Sequence, residues 1–185
     1  MCSPVGHTFL GYSVSLDSSV FVKWRKWWII ILIIFMSNLP DIDFCFGYLK
    51  GDPNLYHHQW THSLTFVFAV ALLFGLGYRL FTRKPGLKVG CIVAVILISH
   101  LLLDIFCKDT RVPYGIQLFW PMSQKFFISP MTFLRDVSKA SSNRAFLSSL
   151  FCWHNFWTVM TEVAVLGPIL LSVWVWRRKK RSGEQ

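Results

Sequence analysis

The sequence predicts an all-α, polytopic membrane helix bundle of about five spanning or re-entrant helices. Three observations lead there. The first is composition: of 185 residues, 54% are hydrophobic and only 15% charged, with 17 Phe and 9 Trp, more apolar and aromatic than a soluble domain. The second is the placement of a formal net charge of +10. Positive residues gather at Lys23-Arg25-Lys26, at Arg79-Arg83-Lys84-Lys88 and at Arg177-Arg178-Lys179-Lys180-Arg181, each beside an apolar run. Charge flanks a spanning helix on its cytoplasmic side in this way. No nucleic-acid motif accompanies the basic residues, which argues against the reading that charge alone suggests. The third is that acids and imidazoles are scarce, 9 and 6 residues, yet concentrate in three short motifs against hydrocarbon-like sequence. Charge in such surroundings is costly unless paired, solvated or bound to metal.

The length suits a single domain, 1–185. Residues 5–22 lean apolar but contain Asp17 and several serines, so they read as a weak span or an interfacial helix. Residues 24–38 are clearer, with Trp24, Trp27 and Trp28 marking an interface and Ile29 to Phe35 forming a continuous apolar run. Asn38 and Pro40 predict a break, and Asp41 and Asp43 follow it. Gly51-Asp52-Pro53-Asn54 reads as a turn. Thr61 is the expected cap of a helix running to about Phe81, in which Gly75 and Gly77 permit close approach of a neighbour. Pro85-Gly86 turns the chain into a helix over about 86–107, with His100 and Asp104 in its last turns. Residues 108–150 are broken by Pro113, Gly115, Pro121 and Pro130 and carry many aromatics, the texture of an extramembrane loop folded over a bundle. The run from 146 to 176 is too long for one ordinary span. It divides into an interfacial part with Trp153, His154 and Trp157 and a span over about 156–176 that holds Glu162 and Pro168. Residues 177–185 are expected to be a flexible basic tail. Five cysteines show no zinc spacing and read mainly as small buried residues, a disulfide remaining open.

With the basic clusters inside, spans 26–47, 61–81, 86–107 and 156–176 alternate in direction. Asp41, Asp43, His57, His62, His100 and Asp104 then all fall near the outer rim, although the charge rule does not require it. If residues 5–22 also span, the N-terminus is outside, the C-terminus is cytoplasmic, and His7 joins the same rim. His100 and Asp104, four apart, share a helix face. Asp41 and Asp43 diverge on a regular helix but can converge at a Pro-broken turn. Imidazole with carboxylate suits zinc, manganese or iron, and seven candidate ligands allow one or two divalent ions. The expected ligands are thus His7, Asp41, Asp43, His57, His62, His100 and Asp104. His58 and Arg111 are candidates for holding a substrate anion, and Asp43 for a catalytic carboxylate. Asp104 could instead pair with Arg111 or Lys108. His154 and Glu162 are weaker candidates, Glu162 reading equally as a functional acid or as a structural hydrogen bond.

These motifs resemble the YdjM family, a group of inner-membrane-associated proteins assigned as metal-dependent hydrolases. The resemblance covers most of residues 4–121. It rests on Gly6-His7, Pro40-Asp41-Ile42-Asp43, His57-His58-Gln59-Trp60-Thr61-His62-Ser63, His100-Leu101-Leu102-Leu103-Asp104 and Gly115-Ile116-Gln117-Leu118-Phe119-Trp120-Pro121. One departure is that the family usually has Arg after the first His of the third motif, where this chain has His58. A further likeness, of pattern only, is to the zinc-dependent phospholipase C and P1 nuclease group, whose downstream His-x-x-x-Glu piece is not recognisable here. The resemblances imply a metal-dependent hydrolase and lean toward phosphoesters; the placement of the motifs at a non-cytoplasmic rim beside hydrocarbon points to a lipid substrate, and a bacterial inner membrane is favoured. A non-catalytic scaffold with a structural metal and a divalent-metal transporter or sensor are the alternatives.

Overall fold

The computed structural model describes residues 1–15 and 26–183. They form seven α-helices: α1 (Pro4–Ser15), α2 (Lys26–Ser37), α3 (Asp43–Leu49), α4 (Leu64–Thr82), α5 (Leu87–Phe106), α6 (Asn143–Leu150) and α7 (Trp153–Gly183). Short 3-10 turns over Leu39–Ile42 and Trp60–His62 precede α3 and α4. The described residues contain no strand, only isolated bridges at Cys107 with Leu134 and Ile116 with Phe127.

Leu64–Thr82, Leu87–Phe106 and Trp153–Lys179 are long and apolar enough to cross a membrane, and Trp27–Ser37 with Leu39–Leu49 qualifies as one span bent by 64°. The chain is therefore a helical membrane protein with three or four candidate spans among the described residues, not the five expected. The fifth candidate is helical over Pro4–Ser15 and then passes, with Asp17, Lys23, Trp24 and Arg25, outside the described residues. The outer surface agrees with a lipid environment: Leu80 is 78% and Phe81 92% exposed on α4, and with Phe68, Leu72 and Leu73 they form an apolar face of a kind that marks membrane or partner contact.

The bend after α2 follows from its residues. Pro40 sits in the first turn of the 3-10 segment and cannot donate to the preceding helix. The chain leaves the α2 axis there and re-enters helix at Asp43. Close contacts fix the other joints. A Cβ on Gly86 would lie 1.8 Å from the Gly75 carbonyl oxygen, and one on Gly90 3.0 Å from that of Ala71, so α4 and α5 meet backbone to backbone. Gly77, expected to share in this, has nothing within 4 Å. A Cβ on Gly11 would lie 2.0 Å from Ser37 Oγ, which draws α1 against the end of α2. Ile33 and Met36 of α2, Val67 and Val70 of α4, and Val93, Leu97 and Leu101 of α5 make the core, closed at one end by Ile116 of the long loop.

That loop is stitched to the helix ends. Leu64 N donates to the Leu118 carbonyl, Gln117 N to that of His58, and Lys108 N to that of Leu134. Asn155 and Thr158 of α7 anchor it from the other side through Ser138 and the Asp136 carbonyl. Several boundaries differ from expectation. Ser63, not Thr61, caps α4, accepting from Phe66 N. The long C-terminal run breaks after α6, and α7 then continues unbroken past Pro168 and through the basic residues to Gly183, where a flexible tail was expected. All five cysteines are free.

Candidate metal centre

Five elements deliver the imidazoles and carboxylates to one place. The 3-10 turn after the Pro40 bend carries Asp41, and Asp43 begins α3. The 3-10 turn before α4 carries His62. The last turns of α5 present His100 and Asp104 on one face, and α1 supplies His7. All are buried except Asp41, whose side chain is 12% exposed, and His57, which is partly covered.

The inner part is a cage of four atoms. His100 Nε2 lies 3.3 Å from His62 Nε2 and 3.2 Å from Asp104 Oδ2, and His62 Nε2 lies 3.5 Å from the same oxygen. Asp41 Oδ1 stands 3.6 Å from His62 Nε2 and 3.8 Å from His100 Nε2. A divalent ion bonded tetrahedrally to such atoms at about 2.0–2.1 Å spaces them by about 3.3 Å, so the cage has the size of a coordination shell. His7 stacks on His100 with ring centroids 3.7 Å apart, and its Nε2 is 3.5 Å from Asp104 Oδ1.

Hydrogen bonds fix which atoms face inward. The Ser37 carbonyl, 2.7 Å from His100 Nδ1, can only accept, so that nitrogen carries the hydrogen and Nε2 offers its lone pair. His62 Nδ1 lies 3.2 Å from Asp43 Oδ2, which likewise turns its Nε2 to the centre. Partners that orient ligating histidines through the far ring nitrogen work in this way. The two Nε2 atoms then face each other at 3.3 Å, close enough to share a proton when no ion is bound and a cation when one is. Asp104 Oδ1 accepts from Cys2 N at 3.0 Å, which leaves Oδ2 to the centre. Both Asp41 oxygens, Asp104 Oδ2, both His7 nitrogens and His57 Nε2 are buried without a hydrogen bond. Buried polar atoms are rarely left so. Burial alone would lower the His62 pKa, but Asp43, Asp41 and Asp104 outweigh it and push it up to about 10: the cluster holds more negative charge than it can balance and draws in a proton.

The outer part lies toward the long loop. His57 Nδ1 is 3.1 Å from Asp43 Oδ1 and 3.9 Å from Asp41 Oδ1, and burial, then the neighbouring His58, hold the His57 imidazole well below its ordinary pKa. Asp43, expected as a catalytic carboxylate, is engaged on three sides, since Thr61 Oγ1 also donates to it at 2.9 Å. Asp41, Asp43 and His57 form one group able to hold an ion, and His62, His100 and Asp104 another. A cavity of about 450 Å³ opens on the outer side, with His57, His58, Arg111 and Lys139 on its walls.

Other expectations fare differently. His58 takes a left-handed backbone at φ 68° and faces Asp109 at 3.4 Å. Burial, opposed by Asp109, lowers its pKa to about 4. Burial would raise Asp109, but His58 and the Gly115 N–H hold it at about 2. Asp104 pairs with neither Arg111 nor Lys108: the Arg111 guanidinium donates to Ser141 Oγ at 2.9 Å and to the Lys139 carbonyl. Glu162 accepts from Ser3 N at 2.7 Å and from Ser3 Oγ and lies against Gly6, so it ties α7 to the start of α1. His154 Nε2 donates to the Asp136 carbonyl at 2.9 Å, away from the centre. Sequence reasoning missed Lys139, Asp109, the Ser37 carbonyl and the Cys2 N–H; the last two are backbone groups and leave no mark on residue type.

No solved structure matches the chain. It is 30% identical over 153 residues to the inner membrane protein YbcI of Escherichia coli (strain K12), covering 79% of this chain and 82% of that one. The YdjM inner membrane protein profile matches residues 2–180; with His7, the Asp41 turn, the His62 turn and the His100–Asp104 face all inside that match, the chain belongs to the YdjM family of inner membrane proteins.

Proposed function

We propose that this chain is a membrane-bound, metal-dependent hydrolase acting on a phosphoester of a lipid at the non-cytoplasmic face. The supporting observation is the pair of imidazole nitrogens, His62 Nε2 and His100 Nε2, held 3.3 Å apart among carboxylate oxygens without hydrogen bonds. The donor set suits zinc first, with manganese or iron compatible. The proposed ligands are His7, His62, His100 and Asp104 on the inner side and Asp43 and His57 on the outer side. Asp41, both of whose oxygens lack hydrogen bonds, would be within reach of either side, so the set would hold one or two ions. When bound, such an ion supplies a water nucleophile near neutral pH and polarises a phosphoryl oxygen.

The chain's own groups do the remaining work. The Ser37 carbonyl, the Cys2 amide and the Thr61 hydroxyl lock His100, Asp104 and Asp43 in orientation. Asp43 positions His57 and His62 together. The head group enters the cavity beside His57, where Arg111 meets its anion and the His58–Asp109 pair shapes the wall. Exposed Tyr114, Phe119 and Met122 on the long loop lie along the acyl or isoprenyl chain. Arg79, Arg83 and Lys84 at the opposite end of the α4–α5 hairpin, with the basic end of α7, favour a cytoplasmic C-terminus and an outward N-terminus.

The complete burial of His7, His62 and His100 favours a second reading, a scaffold with a structural ion, because closed sites are structural and open ones catalytic. The outer group beside the cavity favours catalysis. A transporter is the weaker fit, since the α4 and α5 stretches away from the rim bury Val67, Val70, Val93 and Leu97 against each other and offer an ion no polar path. The test is a phosphate-release screen over membrane lipids with detergent-purified, zinc-loaded protein. Turnover abolished by Asp43→Asn supports the hydrolase; bound metal without turnover of any lipid supports the scaffold.

A further inference from the structure

The cavity beside His57 has a wall that the metal ligands leave unused. Lys139 is 7% exposed. Its ammonium donates to Met1 Sδ at 2.6 Å and sits 4.8 Å from the centroid of the Phe44 ring, and among the described residues no ion pair is made to it. A thioether and an aromatic face are weak partners for a buried cation, and removing an unpaired charge from water is costly. Burial lowers its pKa only to about 8, because Asp41, Asp104 and Asp43 draw it back up, so it is charged at neutral pH.

The acids on the same cavity are already occupied. Asp109 accepts from Gly115 N and Arg111 N and faces His58; Asp136 accepts from Thr110; Asp52 accepts from Asn54 N. Arg111 is bound to the Lys139 carbonyl and to Ser141, neither of which is charged. Two cations therefore stand on one wall, coupled through that carbonyl, with no anion assigned to either.

We propose that Lys139, with Arg111 at its side, receives the phosphoryl oxygens of the substrate, which makes the ligand class a phosphate ester rather than a neutral acyl ester. This rests on the hydrolase reading for its biological meaning, but the site itself is an anion site and can be tested without turnover.

The experiment measures binding of inorganic phosphate, and separately of a short-chain phosphatidic acid in mixed micelles, to detergent-purified full-length protein, metal-free and zinc-loaded. Wild type is expected to bind phosphate even without zinc. Lys139→Met, close in shape, is expected to weaken binding by about ten- to hundredfold, the loss of a charge-assisted hydrogen bond, while Lys139→Arg retains it. Tighter binding of the lipid than of free phosphate assigns the site to a lipid head group, and equal binding assigns it to a free phosphate compound. Wild type that binds neither probe at millimolar concentration overturns the proposal without recourse to a variant, as does Lys139→Met that folds and binds like wild type. Zinc-dependent lipid turnover unaffected by Lys139→Met sinks the anion wall and leaves the hydrolase; Lys139-dependent phosphate binding with no turnover of any ester sinks the hydrolase and leaves the wall.

Discussion

The inner and outer halves of the His–Asp cluster are built from the same residue types but differ in access. Around His62, His100 and Asp104 each inward atom is aimed by a partner on its far side, and the side chains are fully buried. Around His57 one ring nitrogen faces Asp43, the other has no partner, and a cavity lies beside it. A closed shell holds an ion firmly and an open one exchanges water and substrate. The difference teaches that one cluster offers both an enclosed and an accessible donor group, with Asp41 within reach of each.

The comparison breaks most completely at that shared residue. Asp41→Ala is expected to empty both halves, giving no bound metal and no turnover, by metal analysis of purified protein. His57→Ala should separate them: one ion retained, the fold intact by thermal unfolding, and turnover lowered by about a hundredfold or more, the scale of losing a positioned catalytic group. An equal loss of both ions from His57→Ala would merge the halves into one site.

Acidity sharpens the inner half. In ion-free protein the His62 pKa is about 10 against about 6.5 in an unfolded chain. A group raised on folding stabilises below its unfolded value and loses that contribution as pH climbs through its folded one. The ion-free protein should therefore lose stability between about pH 6.5 and 10, whereas zinc affinity should rise across the same window as His62 gives up its proton. A chemical-denaturation series with and without zinc reads both slopes; parallel slopes would remove His62 from the shell. The smallest effect belongs to Thr61→Val, which takes one hydroxyl donor from Asp43 and should cost about 1 kcal/mol, or several-fold in zinc affinity, with stoichiometry unchanged.

Much of this centre is legible in sequence because ligand chemistry is a property of residue type. The four-residue spacing of His100 and Asp104 places them on one face, and Pro40 before Asp41 signals the bend that aims it. Local competition was less legible. Thr61 and Ser63 are both good caps two residues apart, and Ser63 takes the role because Thr61 is drawn to Asp43 eighteen positions earlier. Gly75 and Gly77 look alike, yet only Gly75 faces Gly86. Lys139 sits in a polar link with no periodicity, and its burial depends on Met1 and Phe44, both far away in sequence. Glu162 reads equally as a functional acid or a structural bond, and the bond to Ser3, 159 positions away, leaves no mark in the sequence.

The most direct measurement is X-ray absorption at the zinc edge of zinc-loaded, detergent-purified protein. A first shell of nitrogen and oxygen at about 2.0–2.1 Å, with outer-shell imidazole scattering that falls away in His100→Ala, is the expected result. Protein that carries no zinc, a shell containing sulfur, or a spectrum unchanged in His100→Ala would contradict a cation seated between His62 and His100.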